Sequence, residues 1–104
     1  MPYNVVYTGL AKNDIKEIVT YISETLKASK AALNLVSSLE KSIKTLEKFP
    51  YAHQVYITSK MLENEYRFIP VKNYLVFYTV KEDKKKVIIS RIFYGSMDYA
   101  NRLW

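Results

Sequence analysis

The feature that most constrains the fold is a change of hydrophobic periodicity near the middle of the chain. Between residues 10 and 46, apolar side chains recur at helical spacing in two stripes, and Pro50 ends the second. Beyond Pro50, runs of Val, Ile, Phe and Tyr are typical of strands. A chain of 104 residues that changes pattern once, without a linker, predicts a single α+β domain spanning residues 1–104.

The first half predicts a short strand followed by two helices. The strand covers residues 3–7, and the first helix runs from Leu10 to Lys27 with Asp14 on its polar face. Ser29 is placed to cap the second helix. Because few residues join them, the helices should form an antiparallel hairpin. Their apolar stripes comprise Leu10, Ile15, Ile18, Val19, Ile22 and Leu26, and Ala32, Leu35, Val36, Leu39, Ile43 and Leu46.

The second half predicts a three- to four-stranded antiparallel meander whose one face the helices cover. The expected strands are residues 54–58, 66–71, 74–80 and 87–94. Pro70 cannot donate to a ladder, so its strand should lie at an edge or be bulged. With 10 Tyr and 4 Phe in the chain, the second face of the sheet should be aromatic and either be covered by the C-terminal tail or contact a partner.

Composition excludes several kinds of site. The chain has no cysteine, a single histidine, His53, and two glycines, so it offers neither a thiolate nor a Gly-rich phosphate loop. We therefore predict no metal and no cofactor. Residues 1–9 lack the pattern of a signal peptide, and no apolar run is long enough to span a membrane. The expectation is a cytoplasmic protein that does not contact membranes.

Positive charge and aromatic residues concentrate towards the C-terminus. The formal net charge is +6, and residues 53–104 hold nine Lys or Arg against five acidic residues. This bias suits an acidic partner surface or a polyanion, although a solvated lysine-rich surface would give it too. The three arginines are suited to gripping phosphates or carboxylates, and three aromatic residues lie near two of them. These candidate residues are Arg67, Arg91, Arg102, Tyr94, Tyr99 and Trp104.

The same residue types would also permit chemistry. Cleavage of RNA without a metal needs a base, an acid and cations around the phosphate, and Tyr, Lys and Arg can fill these roles. Packing in the core or at an interface explains the tyrosines equally well, and ion pairs with Glu or Asp explain the arginines. Both interpretations stay open on the residues alone.

Taken together, the segments resemble the RelE/ParE superfamily of toxins from bacterial type II toxin–antitoxin systems. The resemblance runs from Leu10 to Leu103, through residues 11–22, 46–50, 66–67, 74–78 and 92–98. It implies a basic toxin that inhibits growth, contributes to plasmid stabilisation and forms a hetero-oligomer with a cognate antitoxin. The superfamily's fold is similar to the helical hairpin and sheet predicted above.

The superfamily divides by activity. RelE-like members cut messenger RNA on the ribosome, and their basic and tyrosine positions fall here on Arg67, Ile69, Leu75, Phe93 and Tyr99. Three of these five are apolar where the phosphate would need a cation. ParE-like members, which poison DNA gyrase, are more similar in their longer hairpin, in residues 66–78 and in the ending at 94–98 and 102–103.

The resemblance therefore favours a ParE-like toxin that acts by binding and not by its own chemistry. On this interpretation Arg67, Arg91 and Arg102 bind an acidic surface, while Tyr94, Tyr99 and Trp104 anchor it. The alternative is a RelE-like, ribosome-dependent ribonuclease in which Arg67 and Arg91 stabilise the phosphate and Tyr99 carries a proton. A third possibility is a non-toxic relative that binds an antitoxin alone.

Overall fold

A computed structural model describes residues 2–57, 62 and 64–95. The described chain forms one strand, two helices and three further strands, which confirms the predicted α+β class. The first helix continues into a π-helical turn over Tyr21–Thr25, and the second ends in a 3₁₀ turn over Thr45–Glu47. The elements are β1 (Asn4–Tyr7), α1 (Gly9–Thr20), α2 (Ser29–Lys44), β2 (Arg67–Val71), β3 (Tyr74–Lys81) and β4 (Lys86–Tyr94).

The four strands form one sheet in the order β1-β4-β3-β2. The last three strands pair antiparallel, as the meander predicted, whereas β1 pairs parallel to β4 because the helical hairpin carries the chain back across the sheet. Pro70 lies on β2, which is an edge strand, and this confirms the inference from its missing N–H. The predicted strand 54–58 is reduced to a single bridge between Val55 and Arg67, while Thr58 lies outside the described residues.

The main core lies between the hairpin and one face of the sheet. Helix α2 follows its predicted stripe closely, and it packs against strand residues that include Val76, Val87 and Ile89. Large-to-small changes along this stripe should therefore be costly. The buried residues that α2 and the turn after it contribute are Ala32, Leu35, Leu39, Ile43 and Leu46.

Helix α1 follows its predicted stripe only in part: Ile15, Ile18 and Ile22 pack against the main core, but the two ends of the stripe do not. Leu10, placed on the apolar stripe, is 56% exposed, and Leu26 is also exposed. Asp14, placed on the polar face, is only 8% exposed. Ala11 is fully buried, so α1 approaches the sheet along a line through its small and acidic residues. A hydrophobic stripe could not predict this orientation, because one of the groups that fix it is a carboxylate.

The second face of the sheet is aromatic, as expected, but the chain itself covers part of it. Phe77 and Phe93 pack there with Tyr66, and the segment between α2 and β2 adds Tyr56 and Leu62. The rings of Tyr56 and Phe77 meet edge to face at 5.4 Å. Whether the C-terminal tail also lies on this face is a question outside the described residues, because residues 96–104 are not among them.

Candidate functional site

A β-bulge in β4 sets the geometry of the candidate site. The register between β3 and β4 shifts between Phe77 and Tyr78, which pair with Arg91 and Ile89 and leave Ser90 as the extra residue. Strict alternation along a strand would place Ile89 and Ile92 on opposite faces. The bulge instead brings both into the main core and breaks the predicted alternation of the strand.

Arg91 is held by Asp14 of α1. Its Nε and one terminal nitrogen lie 2.7 and 2.9 Å from the two carboxylate oxygens, a bidentate arrangement. The same carboxylate accepts a bond from the Ile92 N–H at 2.9 Å. This hydrogen bonding raises the pKa of Arg91 above its ordinary value. The guanidinium also lies over the ring of Phe93, 4.6 Å from its centroid.

A groove of about 850 Å³ opens beside this ion pair. One wall is formed by α1, its π-helical turn and the start of α2, and the other by the end of β4 and the β2–β3 turn. A π-helical turn within a helix often marks a functional site. Three large side chains at the groove, Tyr21, Leu26 and Tyr94, are each about half exposed. The remaining apolar lining comprises Ile18, Ile22, Ala28, Ala31, Leu35, Tyr74, Ile92 and Phe93.

Tyr94 is the predicted aromatic anchor that the structure places at the groove. It is 51% exposed, and its ring meets that of Tyr74 edge to face at 5.6 Å. A ring that is supported on one side and exposed on the other is a typical interface anchor. Tyr99, Arg102 and Trp104 lie outside the described residues, so their predicted roles stay predictions.

Arg67 belongs to a different part of the molecule. It lies on β2, two strands from β4, and donates to the His53 carbonyl oxygen at 2.7 Å. Its guanidinium also lies 5.1 Å from the centroid of the Tyr51 ring and 3.4 Å from a Glu65 oxygen. It lines a smaller polar cavity of about 130 Å³. The structure thus does not bring Arg67 and Arg91 into one site.

A polar cluster that the sequence did not suggest closes the opposite end of the sheet. Glu82 accepts hydrogen bonds from the phenols of Tyr3 and Tyr51, at 2.7 and 2.8 Å, and pairs with Lys85. These donors, Lys85 first, lower the pKa of Glu82 to about 2. Tyr3, Tyr51 and Glu82 come from three distant segments, so only folding unites them. Their hydrogen bonds connect the three segments at this end of the sheet, and the cluster contains no group suited to catalysis.

Asp14 is the residue of this site that sequence reasoning missed. It was placed among exposed charges because its neighbours Lys12, Lys16 and Glu17 are polar. Its partner Arg91 lies 77 positions away, a separation at which no local pattern links two residues. Among the described residues, no group of three or more His, Asp or Glu could hold a metal ion, and no helix there is long and apolar enough to cross a membrane.

Comparison with known proteins decides the family. Residues 5–99 match the family model described as the ParE toxin of the type II toxin–antitoxin system parDE. The chain belongs to this family. It is therefore a toxin of a type II toxin–antitoxin system, as the resemblance in its sequence implied. No curated protein matches the sequence closely enough to be counted as a relative.

Solved structures agree in fold. The chromosomal ParDE system from P. aeruginosa contains a chain with a TM-score of 0.71 and 18% identity, over 88% of this chain and 95% of that one. The RelBE2 toxin–antitoxin complex of Mycobacterium tuberculosis gives 0.62 and 18%, over 90% and 99%. A variant of the E. coli toxin RelE in its free state gives 0.62 and 13%, over 99% and 94%. At these identities the likeness establishes the fold alone.

Proposed function

We propose that the protein inhibits growth by binding and poisoning DNA gyrase and that a cognate antitoxin neutralises it in a hetero-oligomer. Membership of the ParE toxin family supports this target, because the resemblance of the sequence to ParE-like toxins implies that the protein poisons gyrase. Arg91 and Tyr94 contribute from the groove, and Arg67 from the far edge of the sheet. Tyr99, Arg102 and Trp104 complete the proposed contacts from the tail. The protein acts in the cytoplasm without metal or cofactor.

The observation that carries this choice is the packing of three apolar residues, of which two are buried and one is partly buried. The basic positions of RelE-like nucleases fall here on Ile69, Leu75 and Phe93. Ile69 is 4% exposed and packs in the main core, while Phe93 is 2% exposed and packs with Leu75 in the aromatic cluster. A phosphate undergoing cleavage needs cations that point at it. Core residues cannot supply them, and this supports action by binding.

The positions of the two arginines in the described part of the chain also support action by binding. In the nuclease alternative, Arg67 and Arg91 would stabilise one phosphate together. Within the described residues, Arg67 binds the segment around His53, whereas Arg91 binds Asp14. To bind one scissile phosphate together, the two arginines would have to turn away from these contacts. Separate arginines suit an extended binding surface better than a compact catalytic site.

The RelE-like ribonuclease remains the second candidate because the chain shares its fold with RelE over nearly its full length. In that alternative, Tyr99 transfers the proton and Arg67 and Arg91 bind the message on the ribosome. The two candidates predict opposite results in the same two assays, so one preparation of the protein can distinguish them.

The experiment adds purified protein to two reactions in parallel. In the first, gyrase supercoils relaxed plasmid in the presence of ATP; in the second, ribosomes carry a bound message. Loss of supercoiling with trapped cleaved plasmid, and an intact message, is the expected result. A cut message with unaffected supercoiling would replace the gyrase proposal by the ribonuclease. The Lys84→Ala variant serves as a control that should behave like the parent protein, because this exposed lysine lies in the turn before β4, far from the groove.

The contribution of charge to antitoxin binding should be tested by a substitution at a residue other than Arg91. An acidic partner should bind less tightly as salt rises, because exposed charge pairs are screened. The sequence alone suggested reversing the charge by Arg91→Glu. In the structure this change would set a second carboxylate against the nearly buried Asp14 and disturb the fold. Lys72 is exposed at the groove and tests the same idea without that defect.

A further inference from the structure

A small polar cavity lies beside β3, next to the N-terminal end of β2. Strand β2 pairs with β3 from Arg67, which lies opposite Tyr78, to Val71. The next residues of β3, Thr79 to Lys81, have no strand on this side in the described part of the chain. The cavity of about 130 Å³ lies at this gap, and it is lined by residues 51, 64–65, 67 and 79–81.

Two partly buried cations line this cavity, and both have donors that their own contacts do not use. The Arg67 guanidinium carries more N–H groups than its bonds to His53 and Glu65 occupy. The Lys81 ammonium donates to the side-chain oxygen of Asn64 at 2.9 Å, and this partner is neutral. In the described part of the chain, no ion pair includes Lys81. The cavity therefore has an excess of positive charge.

Lys81 also lies directly opposite another lysine. In the register of β3 and β4 it pairs with Lys86, so the two side chains extend from the same face of the sheet. Like charges at directly opposed positions destabilise an antiparallel pair. Both lysines are only partly exposed, so water screens their repulsion incompletely. An anion bound beside them would replace this repulsion by attraction.

The acidic residues near the cavity do not neutralise these cations. Glu82 follows Lys81 in the sequence, but its carboxylate already accepts from two phenols and pairs with Lys85. The Glu65 carboxylate lies 3.4 Å from Arg67, which is longer than a usual charge-assisted hydrogen bond. Because the Glu65 side chain is 64% exposed, it can turn into solvent when an anion enters.

The backbone of β3 adds a donor at the same place. The Phe68 N–H donates to the Gln54 carbonyl oxygen, away from β3. Because these groups alternate along a strand, Arg67 directs its own towards β3, where Tyr78 lies opposite. Two positions further along β3, Val80 directs its N–H to the same side, and no described residue accepts from it. Since Val80 lines the cavity, this N–H is available to a ligand there.

We propose that this cavity binds a phosphate group as its dianion, either as inorganic phosphate or as the terminal phosphate of a larger molecule. Arg67, Lys81 and the Val80 N–H bind its oxygens, and Lys86 adds charge from β4. Pockets for whole small molecules usually have about 300–1,000 Å³, so a cavity of about 130 Å³ admits the phosphate alone. This site goes beyond the proposed function and does not depend on gyrase.

The test titrates the full chain with three probes at constant ionic strength and follows backbone amide and arginine Nε–H chemical shifts. Inorganic phosphate and methyl phosphate represent the two sources, and dimethyl phosphate is a diester with a single charge. We expect saturating shifts at Val80, Lys81 and Arg67 with inorganic phosphate in the millimolar range; the same shifts with methyl phosphate would identify a terminal phosphate as a second source. No saturation, the same shifts with chloride, or equal binding of dimethyl phosphate would overturn the proposal.

A pair of lysine variants separates this site from general attraction by a basic protein. Lys81→Met removes the ammonium and keeps most of the side chain, so it should weaken phosphate binding about five- to tenfold. Lys84→Met removes the same charge from the neighbouring turn, where Lys84 is exposed, and should change the affinity by less than about twofold. Equal losses would show that net charge, and not the cavity, attracts phosphate.

Two further variants cover the case in which Lys81→Met does not fold. Lys86→Met should weaken phosphate binding several-fold, because it removes the cation opposite Lys81. Glu65→Gln should strengthen it several-fold, because it removes the one carboxylate that lines the cavity in the described part of the chain. If neither variant changes the affinity, the placement of the phosphate is wrong. None of these measurements uses gyrase or ribosomes, so their failure leaves the proposed target standing.

Discussion

Replacing Asp14 by asparagine should destabilise the protein strongly, although the sequence pattern places Asp14 on the polar face of its helix. The carboxylate accepts three hydrogen bonds, two from Arg91 and one from the Ile92 N–H, and the two side chains are 9% and 18% exposed. Asparagine keeps the shape and one accepting oxygen. Its amide donors, however, would face the guanidinium donors of Arg91, and the positive charge would lose the carboxylate of Asp14.

The expected cost follows from these contacts. Hydrogen bonds to charged groups contribute about 1.5–3 kcal/mol each, and removing one partner of a buried ion pair costs about 3–5 kcal/mol. Because asparagine can still accept from Ile92, and because some solvent reaches the Arg91 side chain, we expect a loss of about 2–4 kcal/mol. For a domain of this size, that lowers Tm by at least about 8 °C.

Urea unfolding followed by circular dichroism measures this loss. The control is Asp83→Asn, the same chemical change at an exposed position, which should stay within about 0.5 kcal/mol of the parent. A double-mutant cycle with Arg91→Leu should give a coupling of about 1–3 kcal/mol between the two side chains. A cost for Asp14→Asn no larger than that of the control would refute the reasoning, because the ion pair would then contribute nothing to stability.

Three further predictions test packing, pH dependence and function. Leu39→Ala should cost about 2–5 kcal/mol in urea unfolding, because Leu39 is buried on α2, and equal losses for it and Lys84→Ala would contradict the helix phase. The pKa of Glu82 is about 2 in the folded protein against an ordinary 4.5, so its stabilising contribution is complete above pH 4.5 and disappears as pH falls towards 2. Glu82→Gln should remove that part of the acid-unfolding curve. Deleting residues 101–104 should abolish growth inhibition and leave the fold intact. Tyr99→Phe should be tolerated. If the parent protein cuts messages and the Tyr99→Phe variant is inactive, the ribonuclease is supported instead.

Asp14 connects α1 to the last strand of the sheet in two ways. Its carboxylate binds the Arg91 guanidinium and also accepts a hydrogen bond from the Ile92 N–H. By binding Arg91, it also fixes the position from which this arginine contributes to the proposed contacts. The exposed charges at this surface include Glu17 on α1 and Lys72 in the β2–β3 turn.

Local sequence determined the kind and order of the elements. The stripe of α2 fixed which side enters the core, since Leu35, Leu39 and Ile43 recur at helical spacing and can be buried together in no other way. The missing N–H of Pro70 confined its strand to an edge. Residues 5–99 also carried enough of a family pattern to indicate a toxin of this superfamily. The first two of these inferences need only neighbouring residues, whereas the family pattern needs the order of segments along nearly the whole chain.

Tertiary structure alone decided the site. The bulge at Ser90 arises from the pairing of β4 with β3 and brings Ile92 into the core. The pattern of residue types along β4 does not indicate where this bulge lies. The orientation of α1 depends on a carboxylate that becomes favourable inside only because Arg91 and a backbone N–H meet it there. Burial of a charge is determined by its partners, and those partners are distant in sequence, so only the folded chain could show that Asp14 belongs to the groove.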